Sequence, residues 1–212
     1  MKNAGALLFD MDGLMVDSEP MWFDVEREFA RAHGGDWTEE LADACVGKGL
    51  MNTLVVMGKT FGFEVDGPRM LAEIIDAFIM RAGELRTKPG CLEILGAAHG
   101  KVPMACASSS HRRLVETVLA RLSLARFFDV VVTGDSVVHP KPAPDVFLAA
   151  VAQLHVAPAR CVVLEDSMAG VTAGRAAGMY VIAIPEHDPA PFRPLADAVL
   201  QDLHEAQTHL GY

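Results

Sequence analysis

The chain has 212 residues, 51% of them apolar, enough for a sizeable core in one domain with an insertion or in two small domains. A net charge of −10 argues against a nucleic-acid partner or an anionic membrane surface, so any anionic ligand needs a local positive site. Cys45, Cys91, Cys106 and Cys161 form no C-x-x-C pair and no zinc spacing, no apolar run approaches the ~20 residues of a membrane span, and no signal peptide opens the chain, so a soluble, reduced, cytoplasmic protein is expected.

Ala4 to Phe9 is a short continuous apolar run, the pattern of a strand buried on both faces of a parallel sheet. Ser18-Glu19-Pro20 reads as a helix start, with Ser at the cap and Pro in the first turn. Trp22, Val25, Phe29 and Ala32 follow at helical spacing, and Gly34-Gly35 ends that helix. Thr38–Cys45, Leu50–Phe61 and a stretch from Pro68 to about Arg86 read as further helices. Pro and Gly punctuate a boundary at Thr87-Lys88-Pro89-Gly90.

Beyond that boundary helix and strand alternate. Helices are expected over Cys91–His99, His111–Leu122, Pro144–Leu154 and Ser167–Ala177. Strands are expected over Val102–Ala107, within Phe127–Val132, and over Cys161–Leu164 and Tyr180–Ile184. The rest reads as a Pro-rich turn and a short closing segment. Such alternation implies an α/β fold, a doubly wound parallel sheet with helices on both faces. Residues 18–86 interrupt it once, as an inserted all-helical module that can sit over the end of the first strand.

The residues able to do chemistry collect at strand ends, where open parallel sheets bind their ligands. The first strand stops at Asp10, and Asp12 follows two residues later, on the same side in extended chain. Two carboxylates held close invite a cation or a proton between them. Other strands end at Ser108, at Gly134-Asp135 and at Glu165-Asp166. Asp10, Asp166, a backbone oxygen and waters would suit magnesium, although Glu165-Asp166 could equally cap a helix. Ser108-Ser109-Ser110 offers hydroxyls and free N–H groups to an anion, or an ordinary helix cap. Lys141, fixed between Pro140 and Pro142, can serve as a point charge for phosphate or stand as a solvated loop lysine.

Together, Phe9-Asp-Met-Asp-Gly-Leu14, Ser108, Lys141-Pro-Ala-Pro-Asp145 and Glu165-Asp-Ser-Met-Ala-Gly170 resemble the four signature motifs of the haloacid dehalogenase-like hydrolase superfamily, in order and over essentially the whole chain. The versions present resemble its β-phosphoglucomutase-like subgroup of small-metabolite phosphatases, and residues 9–20 its sugar-phosphate phosphatases. The resemblance implies a Rossmann-like core at 1–17 and 87–212 and a helical cap at 18–86. It implies Asp10 as nucleophile and Asp12 as general acid and then base. It implies Mg2+ held by the Asp10 carboxylate, the Asp12 backbone carbonyl and Asp166, with Glu165 as a ligand or an outer partner. Ser108 and Lys141, with Ser109 beside them, would hold the phosphoryl oxygens.

The implied function is magnesium-dependent hydrolysis of a small phosphorylated metabolite, a sugar or polyol monophosphate, by a monomer or weak homodimer with no nucleic-acid or membrane partner. The alternative is a β-phosphoglucomutase-type mutase. Mutases of the family carry a cap arginine in a Gly-x-Ser-Arg stretch, which here reads Gly47-Lys48-Gly49-Leu50, and a histidine early in the first cap helix, where this chain has Trp22. Asp12 speaks against a dehalogenase, and four intact motifs against a non-catalytic module.

Overall fold

In the computed structural model, which describes residues 4–212, six strands build one sheet: β1 (Ala6–Phe9), β2 (Met104–Ala107), β3 (Val130–Val132), β4 (Cys161–Glu165), β5 (Tyr180–Ala183) and β6 (Ala198–Val199). Their order is β3-β2-β1-β4-β5-β6, and every pairing is parallel. The chain builds outward from β1 in one direction, then crosses to β4 and builds in the other. The switch point therefore lies at the ends of β1 and β4, where a crevice opens.

Successive strand residues face opposite sides of the sheet, and both sides are covered. Leu7 and Phe9 enter one core with helices α5 (Cys91–Ala98), α6 (Arg112–Arg121) and α9 (Leu203–Leu210). Ala6 and Leu8 enter the other with α7 (Asp145–Leu154) and α8 (Met168–Ala176). This double burial is why β1 and β4 read as unbroken apolar runs and not as alternating ones.

Between β1 and β2 the chain leaves the sheet to build α1 (Glu19–Ala32), α2 (Glu39–Asp43), α3 (Leu50–Phe61) and α4 (Gly67–Arg81). These form an inserted helical cap, in which α4 packs against both α1 and α3. The chain departs and returns side by side: Asp17 N–H donates to the Arg86 carbonyl at 3.0 Å and Lys88 N–H to the Met15 carbonyl at 2.9 Å. That pairing explains why α4 stops at Arg81, with a single 3-10 turn at Ala82–Glu84, short of the expected end near Arg86. Leu85 has to be extended for Arg86 to meet Asp17.

The strand expected within Phe127–Val132 is Val130–Val132, after a 3-10 turn at Ala125–Phe127. One other expectation needs correction. The closing segment holds a sixth strand and a helix. Asp202 caps α9 by accepting from Glu205 N–H at 2.8 Å, and Leu203, Ala206 and Leu210 bury its inner face against the core. Among the described residues no helix is long and apolar enough to cross a membrane.

Candidate active site

The floor of the site is a buried charge cluster at the ends of β1 and β4. Asp10 continues β1 by donating its N–H to the Leu164 carbonyl at 3.1 Å. Glu165 ends β4 and Asp166 follows it. Asp10, Glu165 and Asp166 are 7%, 0% and 8% exposed, and one oxygen from each lies within 4.8 Å of the others. Lys141 reaches the same point from the loop before α7 and is itself buried. Its ammonium donates to Asp10 Oδ1, to Glu165 Oε1 at 2.5 Å and to the Ala107 carbonyl at 3.0 Å. The expectation of a fixed lysine holds, but it is a buried one.

Both oxygens of Glu165 are engaged. Its Oε2 accepts from Asp166 N–H, Ser167 N–H and the Ser167 hydroxyl at 3.0–3.1 Å. The Ser167 hydroxyl in turn accepts from Gly170 N–H at 3.0 Å and caps α8. A methyl group at Gly170 would overlap the Glu165 carboxylate. The Glu-Asp-Ser-x-x-Gly spacing is thus the geometry of one carboxylate seated on the first turn of a helix, which favours negative charge.

Three carboxylates face one ammonium, so the cluster carries two excess negative charges when ionised. Burial, with Glu165 and Asp12 nearby, pushes the Asp10 carboxyl up to about 8 against the pull of Lys141. Burial, with Glu165, Asp10 and Glu19 nearby, raises Asp166 well above the usual carboxylate range. Asp166 Oδ1 is buried with no hydrogen-bond partner among the described residues. A buried carboxylate oxygen left bare is costly. The donor set, all oxygen, is that of a hard divalent cation, whose charge would cancel the excess.

Asp12 is held quite differently. Its Oδ1 accepts from the Ser18 hydroxyl at 2.8 Å and from Trp22 Nε1–H at 3.1 Å, and its Oδ2 accepts from the Ser110 hydroxyl at 2.8 Å. Ser18 stands at the start of α1 but makes no side-chain cap; its hydroxyl is spent on Asp12. Trp22 stacks on Phe78 in the cap with centroids 4.2 Å apart, so it packs as the helical pattern implies and also reaches the core. The contributions of Ser18, Trp22 and Ser110 were not legible from spacing, because each depends on how the cap closes over the sheet.

Of the serine run, Ser108 is buried and its hydroxyl accepts from Ser110 N–H at 3.0 Å. Ser109 donates to the Gly47 carbonyl at 3.1 Å, a tie between core and cap. The end of β3 does not join the cluster: Asp135 accepts from Arg112 N–H at 3.0 Å and faces His111. A cavity of about 580 Å3 lies between the two parts, with Asp10, Asp12, Ser108 and Asp166 below and residues of α1, α2 and α3 above. Lys48 is not at the cavity; its ammonium donates to the Ala44 carbonyl at 2.7 Å on the exposed side.

Residues 7–184 match the family model of the haloacid dehalogenase-like hydrolases. The chain is 33% identical over 186 residues to the phosphorylated carbohydrates phosphatase of Thermotoga maritima, covering 82% of each protein. It is 34% identical over 210 residues to hexitol phosphatase B of Escherichia coli K12, covering 94% of this chain and 93% of that one. Its fold superimposes on the crystal structure of the β-phosphoglucomutase of Clostridium difficile with a TM-score of 0.85, 21% identity, and coverage of 97% and 93%.

Proposed function

Because the chain belongs to the haloacid dehalogenase-like hydrolase family and is a phosphoric monoester hydrolase within it, we propose that it is a magnesium-dependent phosphatase of a small sugar or polyol monophosphate, acting through an aspartyl-phosphate on Asp10. The observation that carries the reading is the bare Asp166 oxygen beside Asp10, in a cluster with excess negative charge, under a cavity that Asp12 also lines.

An Asp10 carboxylate oxygen attacks phosphorus while the bond from phosphorus to the ester oxygen breaks. The leaving oxygen takes a proton from Asp12, and Asp12 then takes a proton from the water that cleaves the aspartyl-phosphate, returning Asp10 and inorganic phosphate. Tryptophan N–H can only donate, whereas a serine hydroxyl can turn and accept. Asp12 Oδ1, facing Trp22, is therefore the oxygen kept as acceptor, and Oδ2, facing Ser110, is the one that carries the proton. Lys141, releasing its bond to Asp10 as that oxygen attacks, and Ser108, with Ser109, hold the phosphoryl oxygens, and Glu165 keeps Lys141 in place. Asp10, Asp166 and the Asp12 backbone carbonyl would hold Mg2+, with Glu165 at its edge. When bound, the ion offsets charge on the transferring phosphoryl group.

Hydrolysis is favoured over phosphosugar transfer by the cap. A mutase has to grip a second phosphate, and no lysine or arginine is among the described residues that line the cavity. The test is a screen of phosphorylated sugars, polyols and nucleotides for phosphate release with magnesium and with excess chelator. Release from a sugar or polyol phosphate that stops on chelation is expected. Conversion of β-glucose 1-phosphate to glucose 6-phosphate, with trace 1,6-bisphosphate and no net release, would overturn it.

A further inference from the structure

The cap half of the cavity carries its own chemistry. Glu26 lies one turn beyond Trp22 on α1, so the two side chains share a face. Trp22 reaches Asp12, and the Glu26 Cβ lies about 5–6 Å from that of Trp22, one turn further along α1. Glu26 is 8% exposed and lines the cavity. Its Oε2 accepts from Trp37 Nε1–H at 2.9 Å, which fixes the carboxyl. Its Oε1 has no hydrogen-bond partner among the described residues, although it belongs to one of the most buried acids in the chain. Glu39, Asp43 and Asp24 also line this half.

We infer that Glu26 is a specificity-determining residue, whose free Oε1 hydrogen-bonds a hydroxyl on the carbon chain of the leaving group, so that the cavity selects polyhydroxylated monophosphates and rejects substrates with a second anion. This rests on the phosphatase reading and names the part of the substrate that the cap recognises. The leaving oxygen sits at Asp12, so the carbon chain runs past Trp22 toward Glu26. A hydroxyl both donates and accepts. It therefore satisfies Glu26 whether that carboxyl is ionised or protonated, a useful match because burial pushes it up to about 7. A phosphate or carboxylate in the same place meets Glu26, with Glu39, Asp43 and Asp24 lining the same half, and no lysine or arginine among the described lining residues.

The experiment compares wild type, Glu26→Gln and Glu26→Leu on sorbitol 6-phosphate, fructose 1-phosphate and para-nitrophenyl phosphate, with fructose 1,6-bisphosphate as the two-anion probe. Glu26→Gln keeps an acceptor for Trp37 and guards against loss of the fold, which thermal unfolding checks. For Glu26→Leu, kcat/KM on the hydroxylated monophosphates should fall about 10- to 100-fold, the effect of losing a hydrogen bond to a charged group. Glu26→Gln should fall less, and para-nitrophenyl phosphate, which has no hydroxyl to read, should be unaffected by either change. Wild type should prefer fructose 1-phosphate to the bisphosphate, and Glu26→Gln should narrow that preference. A parallel loss on every substrate would reduce Glu26 to a support for Trp37. Equal turnover of the mono- and bisphosphate by wild type would also overturn the inference. Wild-type activity on the aryl phosphate alone would sink it and leave the phosphatase standing; no phosphate release from any substrate would sink both.

Discussion

Replacing Trp22 with phenylalanine removes one N–H and keeps an aromatic ring. The ring's stack on Phe78, at 4.2 Å between centroids, is largely preserved, so the change is concentrated on the 3.1 Å bond to Asp12 Oδ1. A hydrogen bond to a charged group contributes about 1.5–3 kcal/mol. Ser18 still donates to the same oxygen at 2.8 Å, so the lower end applies. About 1.5 kcal/mol corresponds to roughly a tenfold fall in kcat. If Trp22 acts through the proton on Asp12, the fall is largest for alkyl phosphates, whose leaving oxygen needs the proton. It shrinks for aryl phosphates, whose leaving groups depart without help. The assay is steady-state kcat on a matched alkyl and aryl pair, in wild-type and Asp12→Asn backgrounds. Asp12→Asn alone should cost about 10²–10⁴-fold on the alkyl ester. Trp22→Phe should then add almost nothing, because the two residues form one unit. Full additivity, or equal losses on both esters, would refute the reasoning and leave Trp22 as packing.

Asp10→Asn should abolish turnover with the fold intact, because an amide is a far weaker nucleophile; sustained steady-state activity in pure protein would remove Asp10 from its role. Chelation should stop the reaction and magnesium restore it, and Asp166→Ala should raise the magnesium requirement sharply; full activity in excess chelator would eliminate the ion. Without metal, stability should fall as pH rises. Burial lifts the Asp10 carboxyl to about 8 and Glu26 to about 7, above their unfolded values of roughly 4. Between those values the folded chain keeps protons that the unfolded chain has lost, so stability is highest near pH 4 and declines toward pH 8. Urea midpoints in chelator at the two ends of that window check the sign. A midpoint that rises with pH would show that Lys141 outweighs burial at Asp10.

The floor of the candidate site was legible because its residues are fixed by strands. A strand buried on both faces is written as an apolar run, and the first polar residue after it is forced to the strand end. Asp10, Ser108 and Glu165-Asp166 could therefore be placed by counting, and β1, β2 and β4 are neighbours in the sheet. Asp135 follows the same rule at the end of β3 yet serves Arg112 and His111, because β3 is an edge strand, separated by β2 from the switch point between β1 and β4. The roof follows another logic. Helical periodicity says which face of α1 is buried, but not what lies opposite it. Trp22 and Glu26 satisfy the pattern of a packed helix and hydrogen-bond through polar atoms that the pattern does not count. Their partners, Asp12 and Trp37, are set by the cap's closure on the sheet and by the turn that brings Trp37 back to α1. On the proposed function, the reaction is thus written in short, local signals at strand ends. The choice of substrate is written in long-range contacts, and changing one polar atom on α1 should alter that choice without disturbing the motifs that identify the family.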